Sequence, residues 1–494
     1  MIESLRGVGY SVETAVADLV DNSIAASART IRLDFHFDGP DSWMTLLDDG
    51  RGMGPEELRS AMTVGGRSPL ETRSSGDLGR FGMGLKTASF SQCRCLTVAT
   101  LPESGALSVR RWDLDYIARP DVNEWRLLTG PSAGSEARLA GLASSVSGTL
   151  VLWERLDRIT AGLTHDRRSQ DAFFAMVARV EQHLAMVFHR YLEGPGARLR
   201  IHVGGAARLR PWDPFLSAHP ATEPTPVERI PAPGGAIQLQ GFVLPHRDQL
   251  DDETWRRAAG RDGWVSQQGF YVYRNDRLLV AGGWLGLGEP RVWTREEPFK
   301  LARLAVSFSN SGDAAWEVDI RKSVARPPRA VRPRLTALAD SVRTVARQVF
   351  AHRGAYGKRA PVSDLVPAWL SATGRRGVTY RVNRDHPVMS RVRENLGHHH
   401  ESLEDLLRIV ESTVPVQRIW LDAVEQGEVQ SGAEPLDPDQ IDAMERTAKA
   451  LIDHLTSRVG LEPTLVRARL LATEPFQNHP EVIDRLLPPS TETP

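Results

Sequence analysis

Apolar residues return with a helical period over 11–28, where Ala15, Leu19, Asn22 and Ala26 share one stripe and Asp18 adjoins it. The period then drops to two. Residues 30–37 alternate like a half-buried strand, Asp38-Gly39-Pro40-Asp41 makes the turn, and 43–47 reads as the hairpin partner. Pro55 opens a short helix over 56–62, since a missing N–H does no harm in a first helical turn. Gly and Ser crowd 65–78, which predicts a mobile loop, and 85–91 is helical again. Strands are expected over 96–100, 106–111 and 149–154, and a long amphipathic helix over 166–192 closes a first domain, 1–195. From about 198 the strand period dominates, at 199–203, 237–243, 270–273, 301–307 and 316–320, with Pro-rich links such as 220–226. This predicts a second, β-rich α/β domain over 196–330. Past Pro333 the pattern is mainly helical, clearest at 402–414 and 439–459, so 331–494 reads as a helical C-terminal region with a basic first part.

At 494 residues the chain has room for two to three domains with separate cores. Hydrophobic residues make up 41% and charged residues 25%, and the net charge of −1 steers the whole chain toward neither nucleic acid nor membrane. Cys93 and Cys95 are the two cysteines. Two apart on a strand, their Cα atoms would stand roughly 6.6 Å apart with parallel side chains, poorly aimed for a disulfide. Four-cysteine zinc modules are excluded by count. Met1-Ile2-Glu3 begins no basic-then-apolar leader, and no apolar run reaches transmembrane length. The expectation is a reduced, cytoplasmic protein with no membrane partner.

Three short stretches carry candidate chemistry. In Asp18-Leu19-Val20-Asp21-Asn22-Ser23, Asp18 and Asn22 lie one helical turn apart and can reach one cavity. A carboxylate there can take a proton from water, and an amide oxygen can ligate Mg²⁺, a hard cation that keeps several of its waters. A solvated helix face would look the same. Asp48-Asp49-Gly50-Arg51-Gly52-Met53 follows the apolar run 44–47, so Asp48 would sit at the rim of a core. A buried acceptor suits an exocyclic amine such as adenine's, and Gly50 and Gly52 allow a ring to approach the backbone, although a tight turn uses the same residues. Gly79-Arg80-Phe81-Gly82-Met83-Gly84-Leu85-Lys86 leads into a helix, whose free amides suit phosphate, with Lys86 adding charge. No P-loop or dinucleotide fingerprint occurs.

In this order and spacing the three stretches resemble the GHKL superfamily of ATPases, which includes gyrase, the ninety-kilodalton heat-shock chaperone, histidine kinases and MutL. Gly148-Thr149, ahead of Leu150-Val151-Leu152-Trp153, resembles that family's fourth motif. The resemblance implies an α/β fold, with a GHKL (Bergerat) α/β sandwich over about 1–190, and ATP and Mg²⁺ as cofactors. By position it places Asp18 at the general base, Asn22 at the Mg²⁺ ligand and Asp48 at the adenine contact. Gly50, Gly52 and Met53 fall beside the base, with Thr149 backing up Asp48. Gly79, Arg80, Phe81, Gly82, Met83, Gly84, Leu85 and Lys86 fall at the end of the phosphate lid, and 65–78 at its moving part. Two positions depart from the pattern: the base is usually Glu rather than Asp18, and Ala25 stands where the family tends to have Asp. A shorter carboxylate implies slow hydrolysis.

Residues 196–330 resemble the ribosomal-protein-like α/β transducer that follows such ATPase domains, on the stretches Gly269-Phe270-Tyr271-Val272-Tyr273-Arg274-Asn275-Asp276-Arg277-Leu278 and Trp316-Glu317-Val318-Asp319-Ile320-Arg321-Lys322-Ser323. The second carries Lys322 where the sensor lysine lies, with Arg321 beside it; a solvated basic pair at a strand end reads alike. Ser4-Leu5-Arg6-Gly7-Val8-Gly9-Tyr10-Ser11 and Gly79 to Ser89 are most similar to bacterial MORC-like ATPases of restriction and phage-defence clusters. That resemblance implies an ATP-dependent homodimer, partner effector proteins encoded nearby, and a defence role. Charge adds a further partner. Eleven basic residues from Arg321 to Arg359, Arg343 among them, face one acid, Asp340. Such a run suits double-stranded DNA bound without regard to sequence, although an acidic protein surface or simply a solvated face reads alike. The expected function is an ATP-driven DNA clamp or remodeller. An ATP-gated scaffold with little hydrolysis and a chaperone-like ATPase are the alternatives.

Overall fold

A computed structural model of the chain describes residues 6–7, 9–63, 84–122, 124–318, 325–351, 366–374, 377–396, 400–415, 438–457 and 459–488. Gly79, Arg80, Phe81, Gly82 and Met83, the loop 65–78, and Arg321 and Lys322 lie outside the described residues. The chain forms two compact units, Met1–Arg353 and Gly354–Pro494.

The first unit opens with helix α1 (Val12–Ala25), capped by Ser11, whose hydroxyl accepts from the Thr14 N–H. A hairpin follows, β1 (Thr30–His36) and β2 (Trp43–Asp48), then α2 (Pro55–Met62), α3 (Gly84–Phe90), β3 (Cys95–Leu101), β4 (Ser108–Asp113), β5 (Leu128–Thr129) and β6 (Gly148–Glu154). Helix α4 (Arg167–Val187) and a short α5 (His189–Leu192) lead to β7 (Arg200–Val203). The sheet order is β5-β4-β3-β6-β2-β1-β7, antiparallel except for the β1–β7 pair. The central strand β6 is buried on both faces, because helices cover one side and the segment 136–143 covers the other through Leu139 and Leu142.

Three expectations need correction. The strand read as opening the second domain, β7, pairs with β1 and completes the first sheet, so the expected boundary at 195 falls ahead of that sheet's last strand. The single stripe on the first helix fails as well. Asn22 is exposed, while Val16, Ala17 and Val20 are buried, because α1 is packed nearly all round through its middle turns. The strand expected at 316–320 does not start at Trp316: Trp316 and Glu317 lie in a turn, Trp316 stacks on Phe308 with ring centroids 4.8 Å apart, and 319–320 lie outside the described residues.

A second sheet, ordered β12-β11-β13-β10-β8, contains β8 (Glu223–Pro224), β10 (Ile237–Val243), β11 (Gly269–Arg274), β12 (Arg277–Ala281) and β13 (Ala302–Phe308), with β9 (Glu228–Ile230) also paired to β10. Helix α6 (Asp252–Ala258) precedes β11, and α7 (Arg332–Ala351) lays Leu335, Leu338, Ala339 and Val342 on this sheet's core. The helix assigned from sequence to the C-terminal region therefore packs with the second sheet. β11 and β12 are joined by Asn275-Asp276, both at positive φ (47° and 66°), the mirror-image turn that matches strand twist.

The Gly354–Pro494 unit is not wholly helical. Trp369–Gly374 and Gly377–Val382 form an antiparallel hairpin, and the later helices Pro438–Ser457, Pro463–Leu471 and Pro480–Leu486 bury Leu451, Val466, Leu470 and Ile483 together. No helix among the described residues is long and apolar enough to cross a membrane. Cys93 and Cys95 are free thiols, both buried, and burial pushes both above the ordinary thiol range.

Candidate nucleotide site

Helix α1 carries three polar side chains into the core: Asp18, Asp21 and Ser23, all under 4% exposed. Each is engaged. The Tyr10 hydroxyl donates to Asp18 Oδ2 at 2.9 Å. The Ser23 hydroxyl donates to Asp48 Oδ2 at 2.7 Å, tying the helix to the end of β2. Asp48 Oδ1 accepts from the N–H groups of Gly50 (2.9 Å) and Thr149 (3.2 Å), so this one carboxylate joins α1, β2 and β6. Burial raises the Asp48 carboxyl above its ordinary value, and those three donors partly offset the effect.

The glycines have steric reasons. A Cβ on Gly52, at φ +67°, would stand 2.2 Å from the Leu101 carbonyl oxygen, and one on Gly148 would stand 2.1 Å from the Asp48 carbonyl oxygen. Gly50 is wedged between the Ala26 and Asp48 side chains. Thr100 accepts from the Met53 N–H at 2.8 Å and donates to the Gly148 carbonyl at 3.1 Å; its hydroxyl lies 3.2 Å from that of Thr149. Asp48, Gly50, Gly52, Met53 and Thr149 thus form one connected wall. Across from it, Gly84 opens α3 near Asp18: a Cβ there would meet Asp18 Oδ2 at 3.6 Å. Asn22, one turn past Asp18, is exposed. It offers a neutral oxygen at an open position, which suits Mg²⁺ with its water shell. Leu85 packs partly against the first core. Lys86 was expected to offer its charge to phosphate, yet it is 2% exposed and donates to the Ala61 carbonyl at 2.7 Å, in the last turn of α2.

Tyr10, Asp21, Ser23, Thr100 and Arg277 were not singled out as functional from the sequence. Arg277 begins β12 in the second sheet and is 4% exposed. Its Nε lies 3.2 Å from Asp21 Oδ2, and its guanidinium approaches Asp18 Oδ1 at 4.0 Å. Its position after Asn275-Asp276 places it at a hairpin tip, but nothing in the sequence assigns that tip to α1. Neighbouring groups fix that tip. Tyr191 donates to the Asn275 carbonyl at 2.6 Å, Arg198 pairs with Asp276 at 2.7 Å, and the Arg190 guanidinium lies 3.5 Å from the centre of the Tyr273 ring. His183 lines the same region on α4. Burial, followed by the charge of Arg277, pushes it down to about 4, so it is neutral near pH 7.

His189, Glu193 and Asp213 could bring three ligand atoms together. Both ring nitrogens of His189 already have partners, Glu193 and the Tyr273 hydroxyl (2.8 Å), and Asp213 accepts from the N–H groups of Phe215 and Ser217. The trio reads as structural.

The basic run is thinner in space than in sequence. Arg343 is buried against Phe299, Trp284 and Trp293, with its guanidinium carbon 3.7 to 4.5 Å from their ring centres. Arg326 pairs with Glu317 and Arg334 with Glu228. Arg329, Arg332 and Arg347 remain exposed.

Residues 10–149 match the family model described as histidine kinase-, DNA gyrase B-, and HSP90-like ATPase, and this stretch holds every described residue of the wall around Asp18 and Asp48. The first domain is a GHKL-type ATPase domain. Within that class the chain is MORC-like: it is 38% identical over 87 residues to ATPase morc-1 of Caenorhabditis elegans. That alignment covers 18% of this chain and 10% of the relative, so the chain matches about a tenth of that protein's length.

Proposed function

We propose that the chain is a Mg²⁺-dependent ATPase whose second domain reads the state of the catalytic helix directly. The observation that carries the proposal is the burial of Asp18 between Tyr10 and Arg277, a residue of the other domain. Asp18 takes a proton from the attacking water, with Tyr10 holding its Oδ2 in place. Asp48 accepts the adenine amine. Gly50 and Gly52 let the chain beside Asp48 pack closely, and Thr149 backs the same carboxylate. Mg²⁺, held by Asn22, would neutralise phosphate charge. Gly84 and Leu85 belong to the phosphate side together with Gly79 to Met83, and Lys322 would supply the γ-phosphate contact.

ATP-driven homodimerisation, closure on double-stranded DNA without regard to sequence, partner effectors and a phage-defence role belong to the same proposal. The MORC-like match and the exposed Arg329, Arg332 and Arg347 support it. The domains proposed are ATPase, transducer and C-terminal region, in a cytoplasmic protein. The test is Asp18→Asn, assayed in single turnover. Loss of hydrolysis with ATP binding retained is expected, and unchanged hydrolysis would remove Asp18 as the base. Sedimentation with a non-hydrolysable ATP analogue, with and without circular DNA, tests the clamp. A monomer under both conditions would refute it.

A further inference from the structure

A cavity lies away from the Asp48 wall, between the two sheets of the first unit. It encloses about 560 Å³, a volume suited to a small organic ligand. One side is built from the start of α1 and from α4, and the other from residues 210–212 and from α6 with the loop after it. Its charge is uneven. Glu13 is engaged by Arg179 at 3.2 Å, and Asp262 lies 3.9 Å from Arg261. That leaves Arg210, Arg256 and Arg257 facing the single acid Glu253, and none of the three has a carboxylate within ion-pair distance among the described residues. In a chain of net charge −1 this concentration is local.

Beside the arginines stands one aromatic surface. Trp212 is half-buried against the cluster around Phe215 and Tyr271, and its indole N–H donates to the Arg257 carbonyl at 2.7 Å. That bond fixes the ring plane at the cavity wall and ties it to the helix that carries the arginines. Guanidinium groups recognise phosphate oxygens through paired N–H donors, and an indole face stacks on any flat base.

We propose that this cavity is a second binding site, separate from the Asp48 pocket, for a nucleotide-class anion. The base lies on Trp212 and the phosphates on Arg210, Arg256 and Arg257. Because both domains supply walls, an occupied cavity links α1 and α4 to α6 and biases how the domains sit. Selection comes from charge and ring area rather than from a base-reading carboxylate, so the site accepts bases without adenine's amine.

The experiment is photo-crosslinking of the full chain with 4-thiouridine triphosphate, a nucleotide without the amine that Asp48 suits, and mapping of the labelled peptides. Label is expected within 210–212 or 252–262, competed by unlabelled UTP. Arg256→Ala combined with Arg257→Ala, both at exposed positions, should lower it roughly tenfold, as should Trp212→Leu through lost stacking. Label confined to the Asp48 pocket, label that UTP does not compete, or label unchanged in the arginine variant would each overturn the proposal. The arginine pair decides the matter alone if the tryptophan variant does not fold.

Discussion

The bond between Arg277 and Asp21 joins the second sheet to α1 through residues 256 positions apart, and its worth can be measured. At 3.2 Å, with an effective dielectric of about 20, the Coulomb attraction is about 5 kcal/mol. Desolvation of two groups under 5% exposed consumes part of it. Removing one partner of such a buried pair costs about 3–5 kcal/mol. Arg277→Met keeps most of the side-chain volume and deletes the charge, and Asp21→Asn deletes the other. The readout is hydrogen exchange at the α1 amides, because local opening is resolved there even when a multidomain chain does not unfold in two states. Each single variant should speed that exchange roughly 100-fold, equivalent to about 3 kcal/mol. The double variant should fall short of the summed effect by at least about 1.5 kcal/mol, since the second substitution removes a charge already deprived of its partner. Additivity within about 0.5 kcal/mol would mean that the two residues do not interact energetically, and the coupling assigned to Arg277 would be refuted.

Three further outcomes are expected. Asp48→Asn should weaken ATP binding roughly tenfold in calorimetry, because it replaces an anionic acceptor. The thermal midpoint of the nucleotide-free chain should not fall: a carboxyl raised by burial contributes stability at low pH and loses it as pH rises through its folded value, and the Ser23 hydroxyl can reverse its role toward the amide. Tyr10→Phe should slow turnover about tenfold while leaving ATP affinity unchanged, since it removes the hydroxyl 2.9 Å from Asp18 but touches nothing on the adenine side. His183 sits at about 4 in the folded chain against 6.5 ordinarily, so stability is full above 6.5 and is lost as pH falls toward 4. Partial exposure reduces that loss to about 1–3 kcal/mol, and urea titrations across this window should show a slope that His183→Gln removes.

What could be read ahead of the structure was what lies close along the chain. Asp18 to Ser23, Asp48 to Met53 and the hairpin 30–48 depend on spacing within a turn or across a short loop, and local pattern carries that. Arg277 could not be read so, because only the packing of α5 against the β11–β12 hairpin brings it to α1. Arg343 was miscounted for the same reason. In a list of basic residues it is one more charge, whereas in space three aromatic rings hold it and its guanidinium is pushed below the ordinary range by burial. Lys86 shows a third cause: position beside glycines suggested phosphate, but one turn of α3 aims it at the α2 carbonyl of Ala61. The strand Gly377–Val382 has a local signal too, since Val378-Thr379-Tyr380-Arg381-Val382 alternates with a period of two.

The two acids on α1 share one cation, and this constrains how the proposed ATPase transmits its state. Asp21 is closer to Arg277 than Asp18 is, at 3.2 Å against 4.0 Å, so this contact rests mainly on Asp21 and not on the proposed base. In the proposed mechanism Asp18 acts within the positive field of Arg277, 4.0 Å away. In the proposed ATPase, nucleotide phosphates beside Asp18 would add negative charge near Arg277 and strengthen its attraction to that side of α1. By linkage the effect must run both ways: whatever factor ATP adds to the docking of the hairpin, docking returns to ATP affinity. A loss of the Arg277 charge that loosened α1 without weakening ATP would therefore separate the two events, and the second domain would follow the nucleotide through some other contact.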